Sequence, residues 1–355
     1  MTEQLEGVME VAVYRGPGEV APEQRAVPVP AKGQVVVEVD HCGICGSDIH
    51  LMLDGWGQPG TVFGHEFTGV VAAVGSGEQR WSVGDRVVGG PSPRCGRCRR
   101  CLEGKPSQCE NREGSITDAS DGAFARFTLC RSGSLLAVPE GLSTRDAALA
   151  EPLAVALHGI TRARLEEGDS VMVFGAGPIG ALTIAVLANR GVERIAVVEP
   201  APRRKKLASE LGATEVLDPS ELEIYPRFEP ERISERAVDV VLECSGKKLA
   251  VEAAFCQLRR GGTLVLVGAG NQIPKLDPNR MILNELHMCG SFVYDEDGFE
   301  RALELLSSGA LPTELLIEPE DVPLDRIGEA LRDLAGGSLA GKAMVSPRAT
   351  GPVSP

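Results

Sequence analysis

Apolar and polar positions follow two different patterns along this chain. Up to about residue 150 the sequence is rich in glycine and its apolar runs are short, such as QVVVEVD at 34–40 and DRVVGG at 85–90. Such runs, with few long helical patterns between them, predict a compact β domain. From Pro152 to Phe292 apolar strands alternate with helical segments, which predicts βαβ units and a doubly wound parallel sheet. The fold class is therefore α/β, with two domains, as 355 residues also suggest.

The strongest local pattern begins at Asp169 and reads DSVMVFGAGPIGALTIAVLANRGVERIAVVEP. VMVF predicts a buried strand, PIGALTIAVLANRG a helix that ends at Gly191, and RIAVVE a second strand. Further along, AVDVVLECSG and GGTLVLVGAG predict two more strands that end at glycine. The stretch 171–188 approaches the length of a membrane span, but three glycines and a proline interrupt its first half, so a buried strand and helix explain it better.

The last third of the chain predicts two amphipathic helices, DGFERALELLSSG at 297–309 and LDRIGEALRDLAGG at 324–337. Before them, HMCGSFVYD at 287–295 is a candidate edge strand that could pair with a second copy of the chain, or simply finish the sheet. The tail SPRATGPVSP at 346–355 is predicted to fray.

Composition narrows the classes of function. The formal net charge is −14, which disfavours a nucleic-acid partner or an anionic membrane surface. The first residues lack the basic region and apolar run of an export signal. Ten cysteines in such a chain favour a reducing compartment, in which thiols bind metals or are buried. We therefore expect a cytoplasmic, globular protein with no membrane partner.

Four of the cysteines lie within fifteen positions and point to a metal. Their spacing, C-x2-C-x2-C-x7-C, brings four sulfur atoms together and leaves no open coordination position, as in a structural zinc site. An iron–sulfur cluster or a group of free thiols would be an alternative. The four residues are Cys95, Cys98, Cys101 and Cys109.

A second set of metal-ligand side chains is spread along the chain. Cys45, His65 and Glu66 offer sulfur, imidazole and carboxylate, which suits a catalytic zinc with one position open to substrate. Glu151 adds a carboxylate in the apolar stretch AEPLAVALHG, where a charge is costly to bury unless it meets a cation. Each residue alone is a weak signal, since single cysteines and histidines are common in protein cores.

The glycine loop indicates a dinucleotide site. Gly175, Gly177 and Gly180 form G-x-G-x-x-G between a predicted strand and helix, with Pro178 at the helix start. Glu199, at the end of the next predicted strand, suits the hydroxyls of an adenosine ribose and favours NAD over NADP. Arg203 and Arg204 follow it and could tolerate a 2′-phosphate.

The motifs taken together resemble a known family. GICGSDIH, GHEFTGVV, the four-cysteine segment, AEPLAVALH and GAGPIG occur in the order found in the zinc-dependent medium-chain alcohol dehydrogenases, in the branch of sorbitol, threonine and 2,3-butanediol dehydrogenases. The resemblance implies a chaperonin-10-like β catalytic domain at 1–151 and 293–355, to which the two C-terminal helices return, and a Rossmann domain at 152–292. It also implies a homotetramer or homodimer.

The resemblance implies roles for individual residues of the first domain. Cys45 and His65 would bind a catalytic zinc, with Glu66 as the third ligand and Glu151 as a ligand or water-mediated neighbour. Asp48 would orient His65, and Ser47 with His50 would carry a proton from the alcohol to solvent. Trp56 would form a wall of the substrate pocket.

On the coenzyme side, the resemblance places Ser245, Val267 and Ala269 along the nicotinamide and Ile179 behind its ring. Arg204 would lie near the adenosine ribose, and Lys342 would reach the pyrophosphate. Five further cysteines fall outside the ligand patterns, and most are expected to be buried as small apolar residues: Cys42, Cys130, Cys244, Cys256 and Cys289.

The implied reaction is hydride transfer between a secondary alcohol and NAD, giving a ketone, with two zinc ions per chain. The substrate could be a polyol, a diol, a cyclitol or a hydroxy amino acid such as threonine, and NADP is the less favoured coenzyme. Zinc-free reductases that use NADPH lack the cysteine segment and the Cys45, His65 and Glu66 set. A protein that binds zinc and a dinucleotide without catalysis is the non-enzymatic alternative.

Overall fold

The computed structural model describes residues 7–89, 94–111, 122–225, 229–295 and 297–350, with the side chains of 349 and 350 excepted. Gly90 of the predicted run at 85–90 and residues 351–355 of the predicted fraying tail lie outside this part. The first sheet and the hairpin beside it contain β1 (Val8–Gly16), β2 (Glu19–Ala26), β3 (Gln34–Gly43), β4 (Glu66–Val74), β5 (Arg86–Gly89), β6 (Phe127–Arg131), β7 (Leu135–Ala137) and β14 (Met344–Val345).

The first sheet is antiparallel and is organised around β3, whose valines are fully buried. Its main order is β14-β3-β4-β5-β7, and β6 also pairs with β3. The register pairs Gly43, at the end of β3, with Glu66, at the start of β4. This pairing brings the segments just after β3 and just before β4 to one edge of the sheet.

The second sheet is parallel and confirms the predicted doubly wound architecture. Its strands are β8 (Val171–Phe174), β9 (Ile195–Val198), β10 (Glu215–Leu217), β11 (Val238–Glu243), β12 (Leu258–Leu266) and β13 (His287–Gly290). They are ordered β10-β9-β8-β11-β12-β13. All strands are parallel, but the order in which the chain adds them to the sheet reverses between β8 and β11. Crevices at such switch points bind ligands at the carboxyl ends of the strands.

Helices connect and cover the two sheets. They are α1 (Gly46–Met52), α2 (Arg99–Leu102), α3 (Thr144–Ala147), α4 (Ala150–Ala163), α5 (Pro178–Asn189), α6 (Pro202–Glu210), α7 (Lys248–Cys256), α8 (Pro278–Leu283), α9 (Gly298–Ser307), α10 (Thr313–Leu316) and α11 (Ile327–Gly336). Short 3-10 turns cover Pro106–Gln108, Ser132–Ser134, Pro219–Glu221, Leu324–Arg326 and Pro347–Thr350. The apolar stretch 171–188 is divided between β8 and α5. In the part of the chain that the structure describes, no helix is both long enough and apolar enough to cross a bilayer.

The two C-terminal amphipathic helices pack into different cores, and the core that α9 joins also contains residues of the predicted first domain such as Val88. The apolar face of α11 joins the core of the first sheet through Ile327, Ala330, Leu331 and Leu334. The apolar face of α9 instead joins the core around α4 and α5 through Phe299, Ala302, Leu303 and Leu306. Periodicity identified the buried face of each helix but not the surface that it covers.

Candidate active site and metal centres

The four clustered cysteines form a compact site within one segment. α2 and the 3-10 turn at Pro106–Gln108 fold the segment so that all four sulfur atoms lie within 4.8 Å of one another. The Cys95 and Cys101 sulfurs are 4.0 Å apart, as are those of Cys98 and Cys109. A disulfide requires about 2.05 Å, so these thiols are free.

Backbone amides prepare this site for thiolate ligands. The N–H of Cys98 donates to the Cys95 sulfur at 3.3 Å, and the N–H of Cys101 donates to the Cys98 sulfur at 3.5 Å. Hydrogen bonds from the backbone N–H of Arg97 and of Cys98 lower the pKa of Cys95 to about 6. Desolvation and its hydrogen bond with Cys98 raise the pKa of Cys101 to about 12. Four sulfur donors with amide support fit a tetrahedral divalent ion held by thiolates.

The second candidate metal centre lies where β3 and β4 end side by side. Cys45 directly precedes α1, and His65 and Glu66 begin β4. The sulfur, imidazole nitrogen and carboxylate oxygen of these residues lie within 4.8 Å of one another. Gly43 makes room for this arrangement, because a Cβ there would lie 2.3 Å from Glu66 Oε2. The structure thus brings together three of the predicted ligands.

Lys342 lies in this metal centre, which corrects its predicted contact with a pyrophosphate. Its side chain is 1% exposed, and Nζ donates to Glu66 Oε1 at 2.8 Å and to the Ile44 carbonyl at 3.0 Å. Nζ also lies 2.6 Å from Glu66 Oε2. Burial opposes the charge of Lys342, but the neighbouring Glu66 and Cys45 outweigh it and raise the pKa of the ammonium. The ammonium is thus fully engaged inside the protein.

Glu151 approaches the same centre from the first turn of α4. The residue is 4% exposed. Burial, and then the charge of Glu66, raise the pKa of its carboxyl group to about 7. Such a carboxyl group ionises readily only when a cation is close. It lies outside the three-residue set whose ligand atoms meet within 4.8 Å.

Asp48 holds the loop that carries the Cys45 thiol. It sits on α1 and accepts a hydrogen bond from the Cys45 N–H at 2.9 Å. Its Oδ1 lies 3.8 Å from His65 Nδ1, too far for a hydrogen bond, and this buried oxygen has no hydrogen-bond partner. Ser47 Oγ lies 3.5 Å from His65 Nε2.

The donor set fits a divalent cation. Three buried carboxyl groups, on Asp48, Glu66 and Glu151, and one thiol, on Cys45, share a single buried ammonium, that of Lys342. Burying the ionised forms of these four acidic groups is costly unless a positive ion compensates their charge. The orphan oxygen of Asp48 fits the same conclusion.

His50 lies on α1 where the first domain meets the loop after β12; this junction, together with the second metal centre, is called the cleft below. Its Nδ1 is 2.7 Å from Asp54 Oδ2, and its Nε2 is 3.1 Å from the carbonyl oxygen of Ala269. The Trp56 ring stacks on the imidazole with centroids 4.7 Å apart and planes 18° apart. Trp56 is 48% exposed, so it lies at the surface rather than in the core, and its role in the substrate pocket stays a prediction.

The glycine loop has the geometry of a phosphate-binding turn. Gly175 has φ +86°, a conformation that favours glycine. A Cβ at Gly180 would lie 1.8 Å from the Gly175 carbonyl oxygen, so the helix could not pack this closely with a side chain there. A Cβ at Gly177 would approach only the Arg204 guanidinium, at 3.8 Å, which leaves its backbone open to a ligand. α5 begins at Pro178, and its positive end faces the loop.

Glu199 and Arg204 are engaged with the backbone in this structure. Glu199 accepts hydrogen bonds from the N–H of Ala176 at 2.7 Å and of Ala201 at 2.9 Å. Arg204 donates to the carbonyls of Leu339 and Leu334, at 3.0 and 2.6 Å. Glu199 therefore holds the glycine loop from behind, and Arg204 ties α6 to the end of α11.

The remaining predicted coenzyme residues lie just after strands β11 and β12 or in the first turn of α5. A Cβ at Gly175 would lie 2.9 Å from that of Ser245, and one at Gly159 would lie 3.1 Å from Val267. Ser245 follows β11, and Val267 and Ala269 follow β12, so all three lie at the carboxyl ends of parallel strands. Ile179 is half-buried in the first turn of α5.

Sequence reasoning missed several polar residues that shape the cleft. Glu243 is fully buried and accepts hydrogen bonds from the N–H of Ser245 and Gly246, at 2.9 and 3.1 Å. Asp54 and Asn271 were also missed, although the i, i+4 spacing of Asp54 from His50 was a usable signal. Of the five cysteines outside the ligand patterns, Cys42, Cys130 and Cys256 are buried and Cys244 and Cys289 are half-buried.

Two families match this chain. Residues 31–140 match the alcohol dehydrogenase GroES-like domain, and residues 178–308 match the zinc-binding dehydrogenase family. The first match covers strands β3 to β7 and both metal centres apart from Glu151 and Lys342. The second begins at α5, within the glycine motif, and covers strands β9 to β13.

Individual proteins are similar over almost the whole chain. Sorbitol dehydrogenase of Bacillus subtilis is 33% identical over 324 residues, covering 89% of this chain and 91% of its own length. The crystal structure of 2R,3R-butanediol dehydrogenase from Bacillus subtilis has a TM-score of 0.83 at 30% identity, covering 96% of this chain and 100% of that one. The crystal structure of a zinc-binding dehydrogenase from Sinorhizobium meliloti bound to NADP has a TM-score of 0.83 at 28% identity, covering 96% of this chain and 99% of that one.

Proposed function

Because the chain belongs to the zinc-binding alcohol dehydrogenase family, in its polyol dehydrogenase branch, we propose that it oxidises a secondary alcohol of a polyol or diol to a ketone with NAD. It is an oxidoreductase of CH–OH groups. The observation that carries the proposal is the meeting of the sulfur, imidazole and carboxylate of Cys45, His65 and Glu66, whose ligand atoms lie within 4.8 Å of one another.

The two metal centres have different roles in this proposal. Cys95, Cys98, Cys101 and Cys109 would hold a structural zinc, since four thiolates leave no open position. Cys45, His65 and Glu66 would hold a catalytic zinc, with Glu151 beside it. When bound, this zinc would stabilise negative charge on the alcohol oxygen, and the nicotinamide would accept the hydride.

The protein's own residues position the substrate and move its proton. Ser47, beside His65, would accept the hydroxyl proton of the alcohol while it passes its own hydroxyl proton towards His50, and His50 would release a proton to solvent. Asp48 fixes the backbone at Cys45. Lys342 balances the charge of Glu66, so the metal would need to compensate only the Cys45 thiolate and the remaining carboxylates.

NAD is the proposed coenzyme, with NADP as the alternative. Glu199 lies at the end of β9 and places a carboxylate where a ribose 2′-phosphate would meet repulsion. The two carbonyls bound by Arg204 occupy two of its guanidinium nitrogens and weaken its capacity to hold that phosphate. The Sinorhizobium meliloti relative is bound to NADP, so the two coenzymes need to be compared directly by kinetics.

We place the protein in the cytoplasm as a homodimer or homotetramer. The ten cysteines are thiols rather than halves of disulfides, which suits a reducing compartment. Strand β13 lies at one edge of the parallel sheet, and Met288 on it is 40% exposed. An edge strand of this kind can pair with its copy across a two-fold axis.

The test combines a metal count with a substrate screen. Purified protein should contain two zinc ions per chain and should form NADH, measured by absorbance, from sorbitol, xylitol or 2,3-butanediol. Kinetics with NAD and NADP should give a higher kcat/KM for NAD. One zinc per chain, or no turnover of any secondary alcohol by protein with two, would contradict the proposal.

A further inference from the structure

A carboxylate at the rim of the cleft joins the two domains. Asp54 lies just beyond α1, on the catalytic side, and its Oδ2 is 2.7 Å from His50 Nδ1. The same oxygen accepts a hydrogen bond from Asn271 Nδ2 at 3.3 Å. Asn271 is 217 residues away in sequence and lies in the loop that follows β12, on the coenzyme side.

The surroundings of His50 define the orientation of its ring. Both ring nitrogens face oxygen atoms that only accept hydrogen bonds, those of the Asp54 carboxylate and the Ala269 carbonyl. An N–H at either position therefore has an acceptor within reach. Trp56 stacks on one face of the ring. The imidazole is thus held at both nitrogens and on one face.

The partners of His50 and Asp54 on the coenzyme side belong to one short loop. Ala269 accepts from His50 and Asn271 donates to Asp54, and the two residues lie two positions apart after β12. Loops at the carboxyl ends of parallel strands are where a dinucleotide is held in this fold. A movement of this loop would therefore shift His50 in two ways, directly through Ala269 and indirectly through Asn271 and Asp54.

We propose that Asp54 is a positioning residue of the proton relay, which holds His50 by Nδ1 and couples it through Asn271 to the coenzyme loop at 269–271. This inference rests on the proposed relay role of His50. Asp54 does not touch the reacting atoms. It keeps the imidazole aligned to receive a proton, and it does so best when the coenzyme loop is docked against the catalytic domain.

Another histidine–aspartate pair provides a matched control. His41 Nε2 lies 3.3 Å from Asp321 Oδ2, and the side chains are 18% and 32% exposed. The corresponding values for His50 and Asp54 are 18% and 34%. Asp321 also accepts from Arg145 Nε at 3.0 Å, and it lies near the C-terminal segment rather than at the coenzyme loop. If loss of a histidine–aspartate contact or of a surface charge were enough to lower kcat, Asp321→Ala would lower it as Asp54→Ala does.

The experiment compares Asp54→Ala, Asn271→Ala, their double variant and Asp321→Ala in zinc-loaded protein. Acid–base catalysis contributes about 10²- to 10⁴-fold, so a misaligned relay should lose part of it. We expect Asp54→Ala to lower kcat about tenfold while KM for the alcohol changes less than about twofold. Asn271→Ala should lower kcat less, and the double variant should match Asp54→Ala. Asp321→Ala should keep the parent kcat.

Fluorescence of coenzyme-free protein gives a readout besides activity. The chain has two tryptophans, and Trp81 is buried with its Nε1 bonded to the Ser132 carbonyl. In a Trp81→Phe background the emission reports Trp56 alone, which the stacked His50 quenches. Asp54→Ala should raise this emission as the imidazole leaves the indole face, whereas Asp321→Ala should leave it unchanged.

The outcomes separate this inference from the proposed function. Normal kcat in Asp54→Ala, together with loss of kcat in His50→Ala, would overturn the positioning role and leave the relay intact. Normal kcat in His50→Ala would overturn both. Additive losses in the double variant would contradict the shared link through Asn271. Unchanged Trp56 emission in Asp54→Ala would show that the carboxylate does not hold the ring.

Discussion

The four-cysteine segment and the cleft around Cys45 are both built from metal-ligand side chains, yet they are assembled in opposite ways. All four sulfurs of the first site come from fifteen consecutive positions, and they meet because the segment turns twice on itself. The second site collects its side chains from the end of β3, the start of β4, α4 and the chain near β14. The first site closes a loop, and the second depends on the whole fold.

The difference also appears in how each site handles charge. In the cysteine segment, backbone N–H groups donate to the sulfurs and no carboxylate ligand is present among the four. In the cleft, carboxylates share one buried lysine, and the surroundings raise the pKa of Glu151 and Asp48 through burial. The comparison teaches that a closed site needs little more than local geometry, whereas an open site needs charge balance supplied from distant parts of the chain.

The largest expected effect distinguishes the sites by activity. Cys45→Ala removes a ligand of the open site, and loss of several kcal/mol of charge stabilisation should lower turnover about 10³-fold or more. Binding of NAD, followed by calorimetry, should survive because the glycine loop is untouched. Turnover within tenfold of the parent would contradict a catalytic role for the cleft.

The same substitution in the other site should act on stability instead. Cys98→Ala opens the closed site, and loss of several kcal/mol of metal binding should lower Tm by about 10 °C, at roughly 2–4 °C per kcal/mol for a chain of this class. Protein that remains folded should keep most of its kcat. Calorimetry measures Tm, and kcat is measured per folded molecule. A loss of kcat at unchanged Tm would contradict a purely structural role for the four-cysteine site.

A smaller effect should follow from removal of the buried ammonium. Lys342→Met leaves Glu66 without its partner, and breaking a buried ion pair costs about 3–5 kcal/mol. The loss should be largest in metal-free protein, because a bound cation can compensate Glu66. Denaturant unfolding with and without zinc measures this difference. An equal loss in both forms would mean that Glu66 is not part of the metal centre.

The smallest predicted effect concerns pH. Burial raises the pKa of Glu151 to about 7 from an ordinary 4.5. A raised carboxyl pKa adds stability that is complete below about pH 4.5 and is lost as pH rises through 7. Metal-free protein should therefore melt a few degrees lower at pH 7.5 than at pH 5.5. Glu151→Gln should reduce this difference, and an unchanged pH dependence in that variant would contradict the assignment.

Much of the fold could be predicted because its strands, helices and turns follow from patterns of residues that are close together in the sequence. VMVF, RIAVVE and the glycine loop between them became β8, β9 and the turn before α5, with helix α5 ending two residues before Gly191. The amphipathic faces of α9 and α11 were also correct. The periodicity did not identify their packing partners, because an apolar stripe identifies a buried side without identifying the surface opposite.

For the cleft, the sequence supplied the chemistry but not the contacts. Residue types and motif order identified Cys45, His65 and Glu66, but the partner of Glu66 lies 276 positions away at Lys342. The motif resemblance predicted that Lys342 contacts the coenzyme pyrophosphate. In the structure, the pairing of β14 with β3 buries the Lys342 side chain beside Glu66.

The sequence by itself determined the α/β class, the glycine turn and the four-cysteine site, since each depends on residues close enough in the chain to meet by local folding. The tertiary structure decided the balance of charge around Glu66, the place of α9 and the link from Asp54 to Asn271. Those contacts join residues more than a hundred positions apart. Their pairing is set by how the sheets and helices pack, which no local spacing encodes.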